Sequence, residues 1–253
     1  MGRTPFVAGN WKMHTTADEC VALCGAVRSR VDALDGVEVA VCPPFVHLDR
    51  AREALAGSRV RVGAQNVHWE AQGAFTGEIS PAMLAGLAAY AIVGHSERRQ
   101  YFCETDETVS MRLQAALVHG LTPIFCIGET QDEREAGRTE EVLARQLRVG
   151  LAGVAWTGAC VIAYEPVWAI GTGLAATSEQ ANEACAFIRG VVAELCGADV
   201  AAATRIQYGG SVKADNAREI FGQPEIDGAL VGGASLDAES FAAIVRAAAE
   251  AKR

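Results

Sequence analysis

Lysine is nearly missing from this chain. Of its 22 lysine and arginine residues only Lys12, Lys213 and Lys252 are lysines, and arginine supplies the rest. Positive charge as a whole is in the minority. A formal net charge of −9 leaves no broad basic surface, so partners such as nucleic acid or an anionic membrane are not expected. An anionic small molecule must then be captured by local fields acting against the overall charge. No apolar run reaches the length of a membrane span. The opening residues, Met1 to Phe6, lack the apolar stretch and cleavage site of a secretory leader. No Pro/Ser-rich linker, charge block or low-complexity tract interrupts the sequence, so 1–253 reads as a single domain. Cys-x-x-Cys pairs and Cys/His clusters of zinc spacing are also missing, and no metal site is predicted. The eight cysteines are scattered, mostly within apolar runs, and read as buried free thiols of a reducing, cytoplasmic setting. Cys20 and Cys24 fall on one helical face with Val27, Val31 and Leu34, which fits core packing.

Short β-rich runs recur instead, each followed by a helical pattern. Phe6-Val7-Ala8 leads to a helix opened by Thr16, with Glu19 at capping-box spacing. Val37–Val41 precedes Phe45–Leu55. Val60–Ala64 is followed by a long loop and a helix begun by Ser80-Pro81. Tyr90–Val93 leads to Asp106–His119, and Pro123–Ile127 to Glu140–Leu151. Val161–Tyr164 precedes a helix capped at Thr177 or Ser178. Arg205–Tyr208 precedes Asp215–Phe221, and Ala229–Val231 precedes Asp237–Ala249. Eight such units in 253 residues predict an α/β fold of the (β/α)8 barrel type. An open doubly wound sheet is the alternative, but it calls for a Gly-x-Gly-x-x-Gly after the first strand, where Gly9-Asn10-Trp11-Lys12 stands.

In a barrel the chemistry belongs at the carboxyl ends of the strands. Asn10 ends the first strand, and Lys12 follows it. Where arginine is the default cation, a lysine here suggests a need for a compact ammonium, although a solvated lysine explains it too. Gly94-His95-Ser96-Glu97 ends the fourth strand. A short helix beginning there would disfavour imidazolium and keep His95 neutral, or His95 is simply a hydrogen-bonded structural histidine. Glu165 ends the sixth strand, and Pro166 cannot extend it. The apolar residues Val167, Trp168, Ala169 and Ile170, closed by Gly171-Thr172-Gly173, then read as a hinged lid over that carboxylate, or as a greasy loop beside a surface acid. Gly209-Gly210 and Gly232-Gly233 follow the last two strands, where peptide N–H groups can approach a phosphate closely. The long Gln65–Ile79 segment carries Trp69 and Phe75, aromatic residues that point to an interface.

Asn10 and Lys12, VGHSERR (Val93–Arg99), AYEPVWAIGTG (Ala163–Gly173), YGGSV (Tyr208–Val212) and LVGGASL (Leu230–Leu236) together resemble the triosephosphate isomerase family, in that family's order. GAFTGEIS (Gly73–Ser80) and CIGET (Cys126–Thr130) extend the resemblance over essentially the whole chain. It implies a TIM barrel that interconverts dihydroxyacetone phosphate and D-glyceraldehyde 3-phosphate in glycolysis and gluconeogenesis, without metal or organic cofactor. It implies Glu165 as base, His95 as neutral electrophile and proton shuttle, Lys12 as fixed charge and Asn10 as a substrate contact. The phosphate would lie on N–H groups around Gly171, Ser211, Gly232 and Gly233. Ser96 and Glu97 would stand just behind the reacting groups, and Cys126 would be structural. Gln65, Phe75 and Thr76 would belong to a homodimer contact. The stretch Ser110-Met111-Arg112 departs from the family pattern, which bears on local salt bridges such as one to Asp227. A different phosphate-handling barrel, such as a sugar-phosphate epimerase, would explain the glycine pairs but not the lid beside His95. A silent barrel kept as a scaffold should have lost Lys12, His95 or Glu165.

Overall fold

The computed structural model describes residues 2–169 and 176–251. Eight strands lie among them: β1 (Phe6–Asn10), β2 (Glu38–Cys42), β3 (Arg61–Ala64), β4 (Tyr90–Val93), β5 (Thr122–Ile127), β6 (Val161–Tyr164), β7 (Arg205–Tyr208) and β8 (Gly228–Val231). They pair in parallel and in chain order, and β8 returns to β1 to close the barrel. A closed ring of parallel strands with helices between them excludes the open doubly wound sheet.

Side chains alternate along each strand, and the alternation sorts them into two cores. Phe6, Ala8, Ala40, Cys42, Ile92, Ile124, Cys126, Ala163 and Leu230 fill the barrel interior. Their neighbours Val7, Val39, Val41, Val93, Phe125, Ile162, Ile206 and Val231 face the helices. Both sets are buried, so the strands read as continuous apolar runs, as expected of parallel sheets.

Caps fix where the longer helices begin. Thr16 and Glu19 bond reciprocally at the start of Ala17–Val31, and Thr177 and Gln180 do the same for Ser178–Cys196. Other boundaries shift. Phe45–Leu55 divides into a 3-10 turn, Phe45–His47, and a helix, Leu48–Ala54, because the chain leaves Pro44 in a tight first turn. The helix after Ser80 is only Pro81–Leu84, and the one before Phe221 begins at Ala217. Gln131–Glu135 and Ala198–Ala203 are helices too short to show a periodic apolar stripe in sequence.

Six of the cysteines are buried, but Cys103 is exposed and Cys196 only half-buried, which corrects the reading of all eight as core thiols. Cys103 sits in a turn with φ +55°, where the chain turns outward between two helices. Burial pushes the Cys42 thiol up to about 12, so that group packs as an apolar side chain. Arg112 does not reach Asp227. It lies 3.3 Å from Glu104, whereas Asp227 takes Arg3 at 2.7 Å and Arg189 at 2.8 Å. Among the described residues no helix is long and apolar enough to cross a membrane.

The amino end of the barrel is closed by charge. Glu38 on β2 accepts from Tyr90 on β4 and pairs with Arg205 on β7. The Phe6 ring stacks on Tyr90 at 4.6 Å, with the Arg205 guanidinium 5.0 Å from its centre. Glu38 thus ties three strands that are not neighbours, β7 by an ion pair and β4 by a hydrogen bond to its own β2. Removing one partner of a largely enclosed pair leaves the other desolvated and alone. Arg205→Met should therefore cost about 2–3 kcal/mol, less than a fully buried pair because Glu38 retains some solvent. Urea unfolding at constant m checks this, and adding Glu38→Leu should recover part of the loss.

Candidate active site

The carboxyl ends of β1, β4, β6, β7 and β8 surround a cavity of about 300 Å³. Asn10, Lys12, His95, Glu165, Ser211, Gly232 and Gly233 all line it, brought from separate parts of the chain to one place. Gly171, Ile170, Thr172 and Gly173 lie outside the described residues.

His95 caps the Ser96–Tyr101 helix, so the short helix inferred after β4 exists. Its Nδ1 accepts the N–H of Glu97 at 3.2 Å, and its Nε2 lies 3.0 Å from Glu165 Oε1. A ring that accepts at Nδ1 carries its proton on Nε2 and donates it to Glu165. Burial drives the imidazole towards neutrality, but the facing Glu165 carboxylate more than offsets this and raises its proton affinity. A second proton would need Nδ1 and would break the bond from Glu97. The geometry therefore favours a neutral ring while Glu165 keeps its charge.

Glu165 is 2% exposed, and its other oxygen accepts the Ser96 N–H at 2.8 Å. Burial pushes its pKa up. His95, the Ser96 N–H and the Lys12 charge together overcome that and hold it below the ordinary carboxylate value. Ser96 therefore acts through its backbone. Lys12 adopts φ +51°, a left-handed conformation costing about 1–3 kcal/mol for a residue with a side chain, and its N–H donates to Asn10 Oδ1 at 3.1 Å. Its ammonium pairs with Glu97 at 2.6 Å. Glu97 is thus the counter-ion of the cavity's lysine.

The two glycine pairs turn out to differ. The Gly209 N–H donates to the Tyr164 carbonyl at 2.7 Å and is not free for an anion. A Cβ at Gly209 would stand 2.8 Å from Glu165 Cγ, and one at Gly128 only 1.7 Å from the Glu165 carbonyl oxygen. Gly209 makes room for the Glu165 side chain, and Gly128 for its main chain. Gly232 precedes and Gly233 opens a 3-10 turn, Gly233–Leu236, whose first N–H groups have no partner within the turn, and both residues line the cavity.

The lid's first part, Val167–Ala169, is a 3-10 turn drawn partly into the protein: Ala169 is buried and Val167 and Trp168 are half-buried. Glu129 explains why. This fully buried carboxylate accepts from the Trp168 indole at 2.9 Å and the Tyr164 hydroxyl at 3.1 Å, and lies 3.3 Å from Arg134. Its carbonyl takes the Val167 N–H, and Ser211 Oγ donates to Ala169 O at 3.2 Å. Glu129 is a site residue that sequence reasoning missed. Its place just beyond an apolar strand is shared with Glu165, but its partners Tyr164 and Trp168 come from the next strand end, which the residue type alone does not announce.

Gln65, Phe75 and Thr76 do not line the cavity. Phe75 and Thr76 are exposed on the long loop, and Phe75 leans on His68 at 4.5 Å between ring centres. Gln65 turns inward to main-chain carbonyls of its own chain. Among the described residues, no group of three or more His, Cys, Asp or Glu side chains is placed to hold a metal. A shielded carboxylate, a neutral N–H donor and a compact ammonium around one small cavity suit proton transfer on a carbon acid with an anionic handle.

The sequence matches the family model described as triosephosphate isomerase over residues 5–248. The triosephosphate isomerase of Carboxydothermus hydrogenoformans is 55% identical over 250 residues, covering 96% of this chain and 98% of that protein. That of Solibacter usitatus is 55% identical, covering 96% and 99%. That of Clostridium perfringens is 54% identical over the same shares.

The opposing forces on Glu165 can be separated by ¹³C titration of its carboxyl in the ligand-free protein. Its midpoint should lie below the ordinary glutamate value of about 4.3. His95→Leu removes the strongest opposition to burial and should raise the midpoint. With a folded-state value below the unfolded one, Glu165 adds stability above the unfolded pKa, lost as pH falls through the folded value. A midpoint unchanged by His95→Leu would mean that the imidazole does not hold the charge.

Proposed function

The chain belongs to the triosephosphate isomerase family and interconverts dihydroxyacetone phosphate and D-glyceraldehyde 3-phosphate, and we propose that Glu165, His95 and Lys12 carry that reaction. One observation supports the assignment above the others: Glu165 and His95 Nε2 stand 3.0 Å apart in the cavity that Lys12 also lines.

Glu165 removes a proton from the carbon beside the substrate carbonyl and returns it to the neighbouring carbon. Its oxygens are engaged by His95 and the Ser96 N–H, so it must turn from these to reach substrate. His95, donating from Nε2, polarises the carbonyl and passes protons between the two oxygens of the enediolate. A neutral donor suits this step, because it is close in acidity to the enediol it serves. The Lys12 ammonium exchanges Glu97 for the substrate's negative charge, and Asn10 helps to orient the ligand. The phosphate lies on the N–H groups around Ser211, Gly232 and Gly233, joined by Gly171. Closure of Pro166–Gly173 excludes water, which strengthens the base and keeps the enediolate from losing phosphate.

The reading extends to assembly and setting. Residues 1–253 form one domain that works as a homodimer in the cytoplasm, serving glycolysis and gluconeogenesis, with no nucleic-acid partner. Support for the dimer comes from apolar side chains left exposed on the segments that follow β1, β2 and β4: Met13 is 94% exposed, Val46 81%, Tyr101 67% and Phe102 63%. Phe75 joins them at the tip of the Gln65–Ile79 loop. Solvated side chains of this kind cost up to about 1.5–3 kcal/mol each relative to full burial.

Turnover of D-glyceraldehyde 3-phosphate by the purified protein, inhibited by phosphoglycolate, is the direct assay. Glu165→Asp withdraws the carboxylate by a methylene and should lower kcat about 100-fold. Unchanged turnover would remove Glu165 from the mechanism. Deleting 70–77 from the loop should give monomers of much lower activity, although every residue assigned to the chemistry is retained. Sedimentation and turnover of that variant test both halves, and a fully active monomer would refute the role given to the loop.

A further inference from the structure

Gln65 stands immediately after β3, and its carboxamide nitrogen donates to two main-chain oxygens, Lys12 O at 2.8 Å and Cys42 O at 2.9 Å. Two carbonyl acceptors require the amide end of the side chain to face them, so both of its protons are used. The Cys42 carbonyl also takes the Trp11 N–H at 3.1 Å. Gln65 thereby ties the chain beyond β1 to the β1–β2 seam from the far side of β2. The residue it holds is in a conformation with no local preference: Lys12 has φ +51°. Its N–H is fixed by Asn10 Oδ1 at 3.1 Å and its C=O by Gln65. The turn is thus gripped at both ends by side chains, and the ladder alone holds neither end. Its result is that the lysine stem passes beside Gly232, where a Cβ would lie 3.6 Å from Lys12 Cε, and the ammonium faces the cavity.

We propose that Gln65 is a positioning residue for Lys12, clamping the left-handed turn that aims the ammonium at the bound anion. The inference rests on the reading that Lys12 faces the substrate phosphate. A charge in a site screened from water acts steeply with distance, so relaxation of the Lys12 peptide weakens ligand binding while the ammonium itself remains. Gln65 lies on the loop assigned to subunit contact, so its effect on Lys12 must be separated from assembly.

A double-mutant cycle on phosphoglycolate affinity, measured by calorimetry on the full chain, makes that separation. Gln65→Met keeps the length of the side chain and removes the donor. It should weaken binding about tenfold, and Lys12→Met about 100-fold. The double variant should bind within about twofold of Lys12→Met alone, because Gln65 has nothing left to aim. Losses that multiply to about 1,000-fold would overturn the proposal, since Gln65 would then act independently of Lys12. Sedimentation is run on each variant. A loss in Gln65→Met that merely tracks dissociation into monomers would also overturn it. Should Gln65→Met not fold, Gln65→Asn withdraws the carboxamide by a methylene and enters the same cycle with the same expected non-additivity. Full affinity in Lys12→Met would remove the reading on which the inference rests. Full affinity in the Gln65 variants, with a loss in Lys12→Met, would remove the inference alone.

Discussion

A carboxylate sealed from water has to find its solvation inside the protein, and the arrangement around Glu165 follows from that need. Its two oxygens take a ring N–H and a peptide N–H, from His95 and Ser96 on the β4 end, and Lys12 adds charge from the β1 end. The donors sit on two strand ends other than the one that carries Glu165, so their positions are only as good as the closure of the barrel. The ring can serve as donor because the Glu97 N–H occupies its other nitrogen. Barrel register, helix start and imidazole tautomer are in this sense one constraint, seen at three scales.

A second buried carboxylate does the mechanical counterpart of that work. Glu129 collects the Trp168 indole, the Tyr164 hydroxyl and the Arg134 guanidinium, and the Arg134 charge also lies 4.2 Å from the Trp168 ring centre. Burial and the neighbouring Glu129 charge both push the Tyr164 hydroxyl's pKa up, so it remains a donor. The apolar segment after Pro166 is therefore rooted by polar bonds at its base, and Glu129 ties the β5 end to the residues that follow β6.

Much of this was legible in the sequence. Strand ends could be read because Asn10, His95 and Glu165 each terminate an apolar run, and the barrel brings these termini to one rim. The cap at Thr16 is visible as a spacing, and Thr177 as one of two candidate caps beside Ser178. What could not be read is what depends on neighbours in space. Glu129 resembles any loop acid until Tyr164 and Trp168 are placed over it. Gln65 looks like an interface residue until its amide is seen against the Lys12 carbonyl. The left-handed turn at Lys12 leaves no mark in sequence, since nothing in its residue type asks for it. The Gly209-Gly210 pair reads in sequence as an anion cradle, because glycine advertises space without saying which neighbour uses it, and at Gly209 that neighbour is Glu165.

That last feature bears on how such a scaffold can diverge. Glu165 is flanked by Gly128 and Gly209 on the two adjacent strand ends, and a methyl group at either would collide with it. The base thus occupies a slot that tolerates no stepwise change, because enlarging either wall displaces the reacting group before any new contact can form. The wall after β8 is looser: a Cβ at Gly233 would meet nothing within 4 Å, and one at Gly232 only the Lys12 side chain at 3.6 Å. New substrates would be acquired by remodelling that side of the cavity, and the walls beside the base would be inherited unaltered.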